Sequence, residues 1–324
     1  MAHDDPTAGG WPTVVGLLAG YCADAVVGDP RRAHPVAVFG AAAGALERRM
    51  WADSRARGVA YAGVCVVAGT GVGLAAHTVT ARRPAARAVA TALATWSVLG
   101  GRGLAHEGML MARLLETAER DGDLRAARTR LSHLCGRDPG GLDAKDLARA
   151  ATESIAENTS DAVVAPLFWG GVAGLPGLLG YRALNTLDAM VGHRTPRHTR
   201  FGWASARGDD LANLVPARLA ALAAAACAPV VGGRPRDALR IWRRDAAHHP
   251  SPNAGPAEAA FAGALDVRLG GVNTYAGAVQ DRGTLGDGPT PGPHDLRRSV
   301  TLSRAVGVAA LAVAVGLARA RCRT

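Results

Sequence analysis

The chain has 324 residues, 48% of them apolar, 4% aromatic and 20% charged, and its apolar residues are clumped into runs instead of following a helical or strand period. This content excludes disorder, the lack of a Gly-X-Y period excludes collagen, and the clumping puts a multi-pass membrane protein ahead of the two soluble domains that length suggests. The formal net charge of +10 carries no nucleic-acid signature: all but Lys145 of the 37 basic residues are arginines, scattered over every polar loop without a stripe or interleaved aromatics.

The start, M-A-H-D-D-P, is acidic where a secretory signal is basic, and no A-x-A site follows, so residues 13–28 read as a retained apolar segment. Clean spans are expected at 59–79, 86–101 and 300–318, each near the roughly 20 residues that cross about 30 Å of hydrocarbon. Three other apolar segments are flawed: 13–28 by Asp24, 162–180 by Pro166, Pro176 and several glycines, and 215–233 by Arg218. Irregular backbone and charge at membrane depth survive only against protein or water, so these three are expected to line something. Small residues dominate the spans, which reads equally as close helix packing or as compositional bias. No Lys or Arg precedes Arg31 and six lie in 31–58, which argues for an outside N-terminus and an inside first loop.

Between the spans lie a polar helical stretch at 102–161, with a breaker at Asp138-Pro139-Gly140-Gly141, and motif-bearing polar loops at 181–214 and 234–299. The fold expected is one all-α integral membrane domain over 1–324, multi-pass, with re-entrant or broken segments. The Gly and Pro content of 162–180 favours re-entrant or half-spans there and at 215–233. Cysteines at 22, 65, 135, 227 and 322 are too dispersed for a zinc site or a disulfide framework.

Four polar clusters carry candidate chemistry. In E-S-I-A-E-N-T-S-D, Glu153, Glu157 and Asp161 fall at i, i+4 and i+8, so a helix puts three carboxylates on one face beside Asn158. Such a face is either solvated or holds a hard cation such as Mg²⁺, and it runs directly into the apolar segment at Ala162. Asn185 and Asp188 are one turn apart, and Asp209, Asp210 and Asn213 repeat the pattern around Arg194, Arg197, Arg200 and Arg207. Acids for a metal and arginines for phosphate oxygens fit a magnesium-bound phosphate; an N-cap role for Asp209 competes. At 24–35, Asp24, Asp29 and His34 surround a turn. At 249–258, His249, Ser251, Asn253 and Gly255 precede a helix carrying Glu258, which is either an anion site or an ordinary cap. No P-loop, G-x-G-x-x-G, H-E-x-x-H or G-x-S-x-G occurs.

Taken in order, G-D-P-x-x-x-H-P at 28–35, E-S-I-A-E-N-T-S-D at 153–161, N-T-L-D-A-M-V-G-H at 185–193, F-G-W-A-S-A-R-G-D-D-L-A-N-L-V-P-A-R-L at 201–219 and H-P-S-P-N-A-G-P-A-E-A-A-F-A-G-A-L-D-V-R-L-G-G at 249–271 resemble the CobD/CbiB family, the membrane-bound adenosylcobinamide-phosphate synthases of cobalamin biosynthesis. The likeness runs from about residue 14 to 315. Departures are Gly208 within the A-R-x-D-D block, Ala189 for a usual serine, and a Gly/Pro-rich stretch at 283–295; none removes an acid or amide of the clusters.

The resemblance implies an enzyme of the cell membrane that joins the f-side-chain carboxylate of adenosylcobyric acid to (R)-1-amino-2-propanol or its O-phosphate. It also implies ATP, because a carboxylate oxygen is a poor leaving group, and Mg²⁺ to neutralise the phosphates. On that basis Glu153, Glu157, Asp161, Asp188, Asp209 and Asp210 are expected to share metal binding and deprotonation of the amine, with Glu157, Asp161 and Asp210 as metal ligands. Arg194, Arg207 and Arg218 are expected on phosphates. His34, His193 and His249 would bind substrate or carry protons, and Asp29, Asn158, Asn185, Asn213, Ser251, Asn253 and Glu258 complete the binding set. The expected partners are these substrates and the lipid bilayer, with no nucleic acid; self-association stays open. The rival is a non-catalytic membrane transporter or sensor of the AmpE-like type, which would concentrate its acids at the membrane midplane.

Overall fold

The computed structural model describes residues 10–28, 34–136, 138–193, 195–275 and 278–321, with 273–275 and 278–280 described by backbone alone. Apart from one β-hairpin, the described chain is built of helices, and it groups into two compact units through which the chain passes repeatedly.

One unit comprises residues up to 100, 165–213 and those from 310 onward. Its helices are α1 (Trp11–Val27), α2 (Pro35–Met50), α3 (Arg55–Val79), α4 (Pro84–Val98), α8 (Ala165–Leu187) and the first turns of α9 (Trp203–Cys227). Their starts follow local chemistry. Proline opens α2 and α4, where its missing N–H costs nothing, and the Ser54 hydroxyl accepts the Arg57 N–H at the head of α3. α1 packs on α4 and α3 on α8. The first pair approaches through glycine: a methyl group at Gly16 would lie 2.4 Å from Thr91 Cβ, and one at Gly20 would lie 2.5 Å from Thr95 Cβ. The small residues of these segments therefore serve close packing.

α8 is not a single rod. Gly174 takes φ 64° and ψ −141°, and a Cβ on Gly177 would sit 2.2 Å from the Trp169 carbonyl oxygen. Residues eight apart in a straight helix are separated by about 12 Å. The chain thus reverses at Gly174 into a helical hairpin with arms 165–173 and 175–187, the re-entrant form that the glycines and prolines of 162–180 predict. Pro176 falls in the first turn of the second arm, where it breaks no hydrogen bond.

The other unit comprises residues 101–164 and 214–309. It holds α5 (Gly101–Asp121), α6 (Arg125–Leu131), α7 (Ala144–Thr159), α10 (Pro235–Asp245), α11 (Ala254–Leu265), the antiparallel strands β1 (Leu269–Tyr275) and β2 (Ala278–Leu285), and the first half of α12 (Pro293–Arg321). α11 is its core, buried at every position, and its alanines and glycines let α10 approach until Gly263 meets the Ala238 backbone.

Four helical stretches are long and apolar enough to cross a membrane: Arg55–Val79, Ala144–Gly192, Trp203–Val231 and Pro293–Arg321. Their apolar side chains face outward, as Val59, Val64, Val67, Val72, Leu74 and Val79 do on α3. This is the build of an all-α, multi-pass membrane protein. Two expectations change. The span expected at 86–101 is the 15-residue α4, whose length of about 22 Å falls short of the hydrocarbon layer. The segment 215–233 is no half-span: its helix starts at Trp203 and takes the D-D-x-x-N block into its first turns. Among the described residues of 181–214, only 193 and 195–202 lie outside helix, and 234–299 carries α10, α11 and a hairpin whose strands its Gly-rich sequence does not announce.

Candidate active site

In the first unit, the second arm of α8 and the start of α9 bring the N-T-L-D and D-D-L-A-N blocks together. Asp209 is 7% exposed; its Oδ2 accepts from Asn213 Nδ2 at 2.9 Å and its Oδ1 from Asn185 Nδ2 at 3.3 Å. Each amide is fixed from behind. The Tyr181 hydroxyl donates to Asn213 Oδ1 at 3.0 Å, and Arg182 Nη1 donates to Asn185 Oδ1 at 3.4 Å. Asp209 lies well inside α9, so the competing N-cap role is not the one it plays. Asp188 stands close enough to interact electrostatically with Asp209, on a π-turn over Asp188–Gly192. Gly192 leaves room for it: a Cβ there would lie 1.9 Å from Asp188 Oδ1. Asp210 is half-buried and pairs with the exposed Arg207 at 3.2 Å.

In the second unit, Glu153 is 1% exposed, and its Oε1 accepts the Gly270 N–H at 2.7 Å with Arg149 Nη1 at 3.6 Å. Arg149 also binds Asp146 at 2.9 Å and the Gly270 carbonyl. Glu153 thereby fastens the start of β1 to α7. Glu157, Asn158 and Asp161 are half-buried, and Asn158 Nδ2 donates to the Ser154 carbonyl and hydroxyl at 2.9 and 3.1 Å. The helical projection of the three carboxylates holds as far as Asn158. A π-turn over Ser160–Val164 then changes the register before Asp161.

Deeper in the same unit, His249 and Glu258 have fully buried side chains, with Nε2 and Oε1 3.6 Å apart, and Arg282 Nη1 of β2 lies 3.7 Å from the same carboxylate oxygen. His249 Nδ1 lies 3.0 Å from the Ser251 backbone nitrogen and 3.3 Å from the Ser251 carbonyl oxygen, and Nε2 faces Glu258. Burial, with the Arg282 charge second, pushes the His249 imidazole down to about 4, so it is neutral at pH 7 and Arg282 is the cation beside Glu258. At the head of α11 the N-cap residue Asn253 makes no side-chain cap bond, and Ser251 Oγ accepts from Asn253 and Ala254 N–H at 3.3 and 3.1 Å. Arg218 Nη1 bridges the Leu214 carbonyl at 2.9 Å and Asn253 Oδ1 at 3.2 Å.

His34 caps α2 through its Nδ1, and His193 is exposed just beyond the π-turn. Asp29 and Arg194 lie outside the described residues. Among the described residues, no three His, Cys, Asp or Glu side chains gather to hold a metal ion. Sequence reasoning missed Tyr181, Arg182, Arg149 and Arg282. The first three lie three or four residues from Asn185 or Glu153 and were within reach of helical spacing; Arg282 needed the hairpin.

Fold and site together define an all-α membrane protein that buries acid–amide networks between and beside its apolar helices. The family model for CobD/Cbib protein matches residues 17–303. The chain is similar to the cobalamin biosynthesis protein CobD of Mycobacterium tuberculosis, 55% identical over 309 residues, covering 95% of this chain and 96% of the relative. It is also similar to those of Geobacter metallireducens, 44% identical over 277 residues (84% and 86%), and Stutzerimonas stutzeri, 42% identical over 312 residues (94% and 97%). It belongs to the CobD/CbiB family, that of the cobalamin biosynthesis proteins CobD. No solved structure matches the chain.

Proposed function

We propose that the chain forms an amide bond in the cell membrane, between the f-side-chain carboxylate of adenosylcobyric acid and (R)-1-amino-2-propanol or its O-phosphate, at the expense of ATP. The observation that carries this reading is Asp209, a buried carboxylate held in one geometry by two amides and faced by a second acid, Asp188. A carboxylate so placed in an apolar bundle marks a functional site.

The amine arrives as an ammonium ion and must lose a proton before it can attack. Asp209 accepts that proton, and Asn185 and Asn213, each locked by Arg182 or Tyr181, keep its oxygens aimed. Asp188 holds the ammonium beside it by charge. ATP, when bound, supplies the activation that turns the substrate carboxylate into an electrophile. Among the described residues of this unit no three carboxylates gather to hold a metal, so Mg²⁺ would be held chiefly by substrate oxygens, with Asp210 the acid that adds a hard oxygen donor. On the other unit, Glu157 and Asp161 are half-buried oxygen donors of the same kind. Arg207 and Arg218, whose guanidinium groups retain donors beyond those bonded to Asp210 and Asn253, would take phosphate oxygens.

The test is turnover in membranes carrying Asp210→Ala, Glu157→Ala or Asp209→Ala at matched protein levels. Loss of amide formation in each is expected, and retained turnover sinks the assignment of that residue.

A further inference from the structure

Scattered along the sequence, the arginines do gather into one stripe. α10 carries Arg236, Arg240, Arg243 and Arg244 at i, i+4, i+7 and i+8, one face of a helix, and with Leu239 they line an open groove of about 510 Å³. The opposite face, Ala238, Ile241 and Asp245, is buried. Asp287 accepts from Arg240 at 2.9 Å and from Arg244 at 2.6 Å, which orders two of the four. Arg236 and Arg243, with Arg234 just ahead of the helix, are exposed and have no ion-pair partner among the described residues. Like charges at these spacings repel, so the face carries a surplus that a bound anion relieves.

The place of α10 in its unit indicates the anion. The helix starts at Pro235, directly after the membrane-spanning stretch that ends at Val231. The Val231 carbonyl accepts from Arg298 Nε at 3.2 Å and Nη2 at 2.8 Å, and Arg298 lies in the polar start of α12, ahead of its apolar run. Two apolar segments thus meet polar surroundings at the same level, and α10 begins there. Trp242, half-buried on the same helix, is the aromatic type that settles at a bilayer interface.

We infer that this groove binds the headgroup of an anionic phospholipid from the surrounding bilayer, with Arg240 and Arg244 held in place by Asp287 and Arg236 and Arg243 closing on the phosphate. A soluble phosphate shares that chemistry; the groove's position beside two span ends selects the lipid.

The experiment uses the full chain in phosphatidylcholine nanodiscs containing a minor fraction of phosphatidylglycerol, released for native mass spectrometry. Phosphatidylglycerol is expected to stay bound in preference to phosphatidylcholine. Arg236→Gln with Arg243→Gln, which spares the Asp287 pairs, is expected to lower its retention by roughly an order of magnitude, with Arg243→Gln alone in between. Melting in detergent verifies that both variants are folded. No preference in the unmodified chain, or unchanged retention in the folded double variant, overturns the inference. So does inorganic phosphate that binds in pure phosphatidylcholine discs with the same arginine dependence, because the ligand is then soluble.

Discussion

Asp209 has an N–H group aimed at each of its oxygens, so an isosteric amide in its place would set one N–H against another. Asp209→Asn is therefore expected to leave a buried donor unmatched, costing about 1–3 kcal/mol in a detergent melt. It should also cut amide formation by at least roughly a hundredfold through loss of the base. His249 makes a different prediction. Its folded-state value lies near 4, below the ordinary 6.5, so the unfolded chain binds the extra proton. Its contribution is present in full above pH 6.5 and is lost as pH falls toward 4, amounting to at most about 3 kcal/mol. His249→Gln should flatten the pH dependence of the melt across that window; an unchanged slope would contradict it. At this scale the sequence was readable where partners share a helix, as Asp209 and Asn213 do. It was unreadable where the partner comes from another element, as Arg282 does for Glu258.

Among the elements, close approach of α1 and α4 depends on Gly16 and Gly20 facing Thr91 and Thr95. Gly16→Leu is expected to force the pair apart and destabilise the protein by about 1–3 kcal/mol, measured as a lower melting midpoint. The hairpin is held by carboxylates from three helices: Glu153 binds the Gly270 N–H, Asp245 the Gly286 N–H at 2.8 Å, and Glu258 lies beside Arg282. Glu153→Gln should accelerate hydrogen exchange at Gly270 by roughly tenfold or more, since a charge-assisted bond becomes a neutral one. That clamping also explains why 269–285 is hard to read as strand from its residues: its Gly-rich sequence has little strand propensity, and distant side chains fix the pairing. The α8 hairpin was legible, because glycine at φ 64° and proline in the next turn have few other uses. The shortness of α4 was not, because apolar composition runs past the helix end.

For the molecule as a whole, the outward-facing valines and leucines of α3, α9 and α12 require a hydrocarbon surround, and release from membranes should need detergent and resist alkaline washing. The positive charge, which carries no nucleic-acid signature in the sequence, divides in the structure. Some arginines lock acids and amides, as Arg149 and Arg182 do, and others form the stripe on α10. Family membership places the chain in cobalamin biosynthesis, and the amide-forming reaction proposed for it draws on the buried acid–amide network. Its most direct test incubates the purified protein with adenosylcobyric acid, aminopropanol phosphate and Mg-ATP, with ATP omitted in a parallel sample, and weighs the corrinoid by mass spectrometry. The condensed amide should appear only with ATP and vanish with Asp209→Ala; unaltered corrinoid from folded protein in every sample would contradict the proposed activity.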